Sequence, residues 1–385
     1  MGKMLKEVHQ LRKDLHQHPE LSGKEEFTAR RIESFIRQYY DTEIITGLGG
    51  HGLAAVYRFS NEGPVIVIRC ELDALPIDEP NDFAYRSTVK SVSHKCGHDG
   101  HMAIVAGLIH WFKEQSFKNG KLVLLFQPAE ETGKGAEAVL NDPRFKQLYP
   151  DYVFALHNLP GEDKHSIIVT EDVFTATVQS VAIYLEGKQA HASEPEKAIN
   201  PTNAIAELID AFARLECTDQ NSKQFALITP IYMQLGEKAY GIAAGSGELH
   251  YTIRTWTEDE MQKLKQNLID LAEKMAQKHQ LKLNLEWFDY FPAVVNDHTC
   301  TELVRKAAER NGYNVIKKNT PFRFGEDFGW FSRQYRVTMF GLGAGKEIPA
   351  LHHNDYDFPD EIIKTGMKMF QGVISEILSQ PKRVL

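Results

Sequence analysis

The sequence predicts an α/β protein with a central, mostly parallel sheet and crossover helices, into which a smaller α+β domain is inserted. Three observations carry this. Towards both ends of the chain, short and nearly continuous apolar runs alternate with amphipathic stretches, the texture of strands buried on both faces between helices. Between Phe174 and Trp287 the texture changes to strands that alternate on a period of two. The chain has 385 residues, more than the roughly 250–300 at which one hydrophobic core stops growing, so two domains are expected. The expected division is 1–173 with 288–385 for the discontinuous larger domain and 174–287 for the insert.

The elements follow in order. Leu5 to Leu15 has apolar residues at helical spacing, and after the break at His18-Pro19-Glu20 the run Ser22-Gly23-Lys24-Glu25 reads as a capping box opening a second helix through Tyr39. Gly47 to Gly52 is a turn. Strands are expected at Gly52 to Tyr57 and Pro64 to Cys70, the second containing the apolar run Val65-Ile66-Val67-Ile68. A helix at His101 to Phe112, a strand at Lys121 to Gln127, a short helix at Thr132 to Leu140 and a strand at Tyr152 to Ala155 continue the alternation. In the insert, strands are expected at Gln179 to Leu185, Phe225 to Gln234 and Glu248 to Thr255, with helices at Pro201 to Leu215 and Glu258 to His279. The chain then resumes α/β texture, with a helix at Thr301 to Asn311, a strand at Val337 to Gly341 and a last helix from Asp360 to Leu378.

Composition excludes several classes. The hydrophobic fraction is 42% and the charged fraction 25%, ordinary for globular proteins, and no stretch reaches the roughly 18 apolar residues of a membrane span. The net charge of −8 is spread out, with no basic stripe that could track phosphates, so nucleic acid is not expected as a partner. The N-terminal residues lack the apolar segment of a secretory signal, and the expected location is cytoplasmic. The four cysteines Cys70, Cys96, Cys217 and Cys300 have no regular spacing, which argues for reduced thiols and against a disulfide scaffold.

Four places combine histidine, cysteine or carboxylate where an open α/β sheet gathers ligands, at strand exits. The first is His94-Lys95-Cys96-Gly97-His98-Asp99-Gly100-His101. In an extended segment Cys96 and His98 would face one site, with Gly97 and Gly100 allowing a sharp turn. Thiolate plus imidazole suits zinc, cobalt, nickel or manganese better than magnesium or calcium. The second place is Pro128-Ala129-Glu130-Glu131-Thr132-Gly133, where one carboxylate can bind metal while its neighbour holds a proton. The third is His157, past a buried strand, and the fourth is Leu351-His352-His353-Asn354. Spacing alone leaves open a structural histidine at 157, a solvated glutamate pair, and a Cys96 nucleophile paired with His98 or His101.

Taken together, Cys96-Gly-His-Asp-Gly-His, with Asp73-Ala-Leu-Pro upstream and Pro128-Ala-Glu-Glu downstream, resembles the amidohydrolase branch of the two-metal aminoacylase and carboxypeptidase family. That branch includes hippurate hydrolases, auxin-conjugate hydrolases and N-acetyl-diaminopimelate deacetylases. The similarity runs from His16-Gln-His-Pro-Glu-Leu-Ser through Glu326-Asp-Phe to Leu351-His-His. It implies two divalent ions (zinc, manganese, cobalt or nickel) held by Cys96, His98, Glu131, His157 and His352, with Glu130 as general base. It also implies that Asp73 orients a metal-bound imidazole, His98, and that His191 stabilises an oxyanion. Arg254 would clamp a substrate carboxylate, with Asn200 at a helix start nearby. The implied substrate is a small N-acyl amino acid, and the insert would serve as a lid or dimerisation domain in a homodimer. Glu71-Leu72-Asp73, Lys95 and His353-Asn354 depart from the family's usual Asp-Met-Asp, Ala and small residue followed by Pro.

Two other functions compete. A dipeptidase or aminopeptidase on the same scaffold is disfavoured by the cysteine at 96, where those branches typically carry aspartate. A non-catalytic metal-binding module is disfavoured by the presence of Glu130 beside a complete ligand set.

Overall fold

The computed structural model describes residues 2–60 and 62–379. These form two compact units: residues up to Phe174 with Val294–Asn319 and those from Glu326 onward, and Thr175–Ala293 with Thr320–Gly325. Among the described residues no helix is long and apolar enough to cross a membrane.

The first unit is built on an eight-stranded sheet in the order Glu43–Leu48, Gly52–Arg58, Lys121–Gln127, Val65–Glu71, Tyr152–Pro160, Arg336–Gly345, Ile167–Val169, Val315–Lys317. The central four strands are mutually parallel, and antiparallel pairs lie towards the sides. Every residue of Val65–Glu71 is buried, which is why it opens on the unbroken apolar run Val65-Ile66-Val67-Ile68; both of its faces are covered, and its later charged residues, Arg69 and Glu71, pair with each other. Helix His98–Phe112 is buried almost all round, the mark of a helix enclosed by others. It packs with Gly2–Gln17, Glu26–Tyr39, His298–Arg310 and Ile363–Leu378 around side chains such as Ile66, Ile68, Leu122 and Leu124. Each such side chain contributes about 1.5–3 kcal/mol, more than a surface ion pair, so the core sets the register that places the strand ends.

Several local expectations are corrected. The capping box does not form: Ser22 Oγ donates to Asp73 Oδ2 at 2.7 Å, and Glu25 accepts from the amides of Gly23 and Ala129 at 2.9 and 2.8 Å. Helix His98–Phe112 begins at His98 rather than His101. Cys96 and His98 are therefore not two residues of one extended segment; Gly97, at φ 94°, turns the chain between them. Gly100 is helical, and its lack of a side chain instead admits the ring of Phe358, whose carbons would lie 2.4 Å from a Cβ. His157 is inside its strand, which runs to Pro160.

The second unit holds a four-stranded antiparallel sheet in the order Ala226–Leu235, Ser246–Thr255, Thr177–Glu186, Lys282–Phe291. Helices Thr202–Ala213 and Glu258–Lys278 cover one face, burying Leu208, Phe212, Leu264 and Leu268 against Ile183 and Ile253. Strand Lys282–Phe291 had no counterpart in the sequence reading, and because it runs to Phe291 the unit closes at Ala293 instead of 287. Thr320–Gly325 joins this unit: the Ala176 amide donates to the Phe322 carbonyl at 2.9 Å.

Candidate metal centre

Parallel central strands bring the exits of distant segments to one edge. Val65–Glu71 leads to Asp73, Lys121–Gln127 leads to Glu130 and Glu131, and Arg336–Gly345 leads to His352, while His157 lies beside Gly341 on the neighbouring strand. Cys96, His98 and His157 offer ligand atoms within 4.8 Å of one another, as do Cys96, Glu131 and His352, and His98, Glu130 and Glu131. All five residues named from the sequence as ligands, and the carboxylate named as base, therefore share one cluster. His353, next to His352 in sequence, belongs to none of these groups.

The imidazoles are oriented for coordination. His98 Nδ1 donates to the Asp73 carbonyl at 2.8 Å, which leaves the lone pair on Nε2, 3.8 Å from Glu130 Oε2 and 3.9 Å from Glu131 Oε1. His157 Nδ1 donates to the Asn158 carbonyl at 2.8 Å, turning Nε2 towards Cys96 Sγ at 3.5 Å. Such a hydrogen bond on the far ring nitrogen is the usual way a protein fixes a ligating tautomer. His352 Nε2 lies 3.7 Å from Glu131 Oε2, with 52% of its side chain exposed, so it forms the open side of the cluster. Its backbone has φ 66°.

Within this cluster Cys96, His98, Glu130 and Glu131 hold their protons more tightly than usual. Burial raises Glu131 to about 7 against the opposing pull of His98. Glu130 is raised by burial, then by Glu326 and Glu131. Burial, followed by the Glu131 and Glu130 charges, pushes the Cys96 thiol up. His98 is driven down by burial but up more strongly by the Asp73 hydrogen bond and the Glu71 and Glu131 charges, to about 10. His98 Nε2 and Glu131 Oε1 are buried with no hydrogen-bond partner. Buried imidazole and carboxylate atoms left without partners, beside a buried thiol, fit divalent cations, whose charge would favour the thiolate and carboxylate forms. A free nucleophilic thiolate fits less well, since burial raises the thiol.

Asp73 meets His98 through its backbone as well as its carboxylate. Its backbone carbonyl holds His98, with its carboxylate at 3.6 Å from the same nitrogen, while Oδ2 accepts the Glu131 amide at 2.9 Å. Residues without an assigned role in the sequence reading complete the support. His101 is held at Nδ1 by Glu71 at 2.7 Å and at Nε2 by the Asn158 amide at 3.2 Å. Asn158 also donates to the Cys96 carbonyl at 2.7 Å. Buried Arg69 gathers Glu71, Gln127, Glu326 and Asp327, and the Asp327 amide reaches Glu130 Oε1 at 3.4 Å. The Glu326-Asp-Phe motif was the visible signal for this group.

The other three named residues belong to the second unit. His191, exposed on the short strand Ala190–His191, accepts the Ser193 amide at Nδ1 at 3.1 Å, which puts its proton on Nε2. Half-buried Arg254 donates to the Arg323 carbonyl at 2.8 Å. Asn200 Oδ1 accepts from the Thr202 amide and hydroxyl at 3.0 and 2.6 Å, the ordinary function of an asparagine at a helix start.

A parallel-centred sheet carrying this cluster at its edge defines a two-metal hydrolase of amide bonds. Comparison with known proteins agrees: residues 67–376 match the model of peptidase family M20/M25/M40, and the chain belongs to that family. An N-acetylcysteine deacetylase of Bacillus subtilis (strain 168) is 29% identical over 375 residues, 97% of each chain. An N-acetyl-L-cysteine deacetylase of the same organism is 32% identical over 326 residues, 83% of this chain and 76% of that protein. The crystal structure of a Bacillus subtilis protein described as a dinuclear metal binding peptidase of the M20 family superposes with a TM-score of 0.83 at 27% identity, covering 99% of both chains. A Staphylococcus aureus structure superposes with a TM-score of 0.87 over 98% of this chain and 97% of its own, and at 24% identity it speaks to the fold alone.

Proposed function

We propose that this protein hydrolyses the amide bond of N-acyl amino acids. The observation that carries the reading is the position of Glu130, a buried carboxylate 3.8 Å from His98 Nε2 and within the ligand cluster, yet adjacent in sequence to the ligand Glu131. Cys96, His98, Glu131, His157 and His352 would hold two divalent ions, with zinc, manganese, cobalt and nickel all suited to this donor set. Those ions would supply positive charge to polarise the scissile carbonyl and to make water more acidic.

The chain's own groups do the rest. Glu130 Oε1 is anchored by the Asp327 amide, leaving Oε2 to take the proton of the attacking water and deliver it to the departing nitrogen. Burial and the neighbouring carboxylates raise its proton affinity, which suits a group that must both accept and release a proton. Asp73 keeps His98 and Glu131 in place. His191, with its proton on Nε2, is the proposed donor to the oxyanion, and Arg254 the proposed clamp for the substrate carboxylate. Asn200 stands at the head of the helix Thr202–Ala213 and is assigned to the same substrate-binding region.

The second unit is proposed to mediate a homodimer. Its edge strand Ala226–Leu235 exposes Ile231, Tyr232, Met233 and Leu235, an apolar sheet edge of the kind that pairs with another chain. Four free cysteines suit the reducing cytoplasm.

The test is a panel of N-acetyl, N-benzoyl and longer N-acyl amino acids, N-acetylcysteine among them, alongside dipeptides, assayed after reconstitution with each metal. Turnover of N-acyl amino acids in preference to dipeptides is expected. Preference for dipeptides would replace this reading with the peptidase one.

A further inference from the structure

We infer that Lys95 is a positioning residue: a fully buried strut that fastens the two chain segments carrying Cys96 and His352 to each other. The inference rests on those two residues being metal ligands.

Lys95 is 0% exposed, an unusual place for an ammonium group, which is seldom taken from water unless paired and hydrogen-bonded. The ammonium donates to the Tyr356 carbonyl at 2.8 Å, to Asn81 Oδ1 at 3.1 Å and to Glu79 in a close ion pair. Its own backbone carbonyl accepts the His352 amide at 2.8 Å. One residue thus grips the loop of His352 at two points four residues apart, while its peptide bond leads directly to Cys96.

The grip falls where it is needed. His352 has φ 66°, a left-handed conformation that is unfavourable for a non-glycine residue and persists only when the surroundings hold it. Its side chain is half exposed, so packing alone does not fix the imidazole. The Lys95 hydrogen bonds supply the missing constraint. Glu79, the partner of the ammonium, also accepts from His16 at 3.0 Å, and His16 binds Asp99 at 2.8 Å, so the strut is continuous with the first turn of the helix that begins at His98. Lys95 therefore acts on ligand geometry through neighbours and does not itself reach the cluster.

Removing only the ammonium would leave Glu79 buried and short of a partner, a defect that can unfold the chain by itself. The informative variant is therefore the double replacement Lys95→Met with Glu79→Gln, which removes both charges. The wild-type protein, stripped and titrated with cobalt, is expected to take up two ions with a thiolate-to-cobalt absorption band. Failure at this first step would count against the metal ligands themselves, separately from Lys95. The double variant is expected to keep a cooperative melt while binding its weaker cobalt ion about 10- to 100-fold less tightly, the range seen when groups that orient ligands are lost. A folded double variant with both cobalt affinities unchanged would overturn the inference. Hydrogen exchange on the metal-free wild type tests it without any variant: the His352 amide is expected to be protected by the Lys95 carbonyl, and exchange as fast as an open loop would equally overturn it.

Discussion

The amide of Glu131 donates to Asp73 Oδ2 at 2.9 Å while the carbonyl of Asp73 accepts from His98 Nδ1 at 2.8 Å, so one residue orients two proposed ligands of the cluster through different atoms. Replacing Asp73 by Ala removes the first link and spares the second. Divalent-metal affinity is expected to fall about 10- to 100-fold, as for other groups that support ligands. Asp73→Asn keeps an oxygen that can accept the Glu131 amide and should sit closer to wild type. Isothermal titration of the metal-free proteins separates the two, and equal affinities for the alanine variant and wild type would show that the carboxylate is not needed.

Glu130 accepts a weak hydrogen bond from the Asp327 amide at 3.4 Å, and its other oxygen faces His98. A glutamine there preserves shape and removes proton acceptance. Turnover of the best N-acyl substrate by Glu130→Gln is expected to drop by about 10²- to 10⁴-fold or more, with two equivalents of metal still bound. Elemental analysis alongside the kinetics checks both halves. Unchanged turnover would take Glu130 out of its assigned role.

Fold and site were legible in the sequence to different depths. Lys121–Gln127 was read with its observed limits because a strand covered on both faces prints an unbroken apolar run. Edge strands print no such run: Glu43–Leu48 is mostly exposed or half-buried, and Lys282–Phe291 shows only polar and apolar residues in alternation over its first half, the period-two pattern of the other strands of the insert, which was there to be read. Among site residues, those able to bind a cation were visible as motifs. Their supports were not, because a support is defined by a partner far away in sequence. Arg69 meets Glu326 across 257 positions, and Lys95 meets Tyr356 across 261. Neither pairing has any local pattern.

Metal removal distinguishes the hydrolase reading from a thiol enzyme. Cys96 Sγ lies 3.5 Å from His157 Nε2, a geometry that a nucleophile and its base could share, but burial holds the thiol in its neutral form unless a cation is present. A strong chelator is expected to abolish activity, and added zinc, manganese, cobalt or nickel to restore it. Activity that persists after chelation and is lost only on thiol alkylation would favour the nucleophile.

The buried pair His16 and Asp99 gives the stability a pH dependence of definite sign. Burial disfavours the His16 imidazolium, but hydrogen bonds to Asp99 and Glu79 overcome this and raise it from 6.5 to about 9. A histidine raised in the folded state binds its proton more tightly there than in the unfolded chain. Its contribution is therefore fully present below about pH 6.5 and is lost as pH rises through about 9. The size of the shift corresponds to about 3 kcal/mol, as an order of magnitude for a group wholly shielded from solvent. Urea unfolding of the metal-free wild type should weaken between pH 6.5 and 9.5 by roughly that amount more than unfolding of His16→Asn, which cannot carry the charge. Metal-free samples are used because ligand protonation would otherwise add its own pH dependence. Parallel pH profiles for the two proteins would mean that His16 is neutral in the fold, and that Asp99 depends on Arg12, 3.3 Å away, for its countercharge.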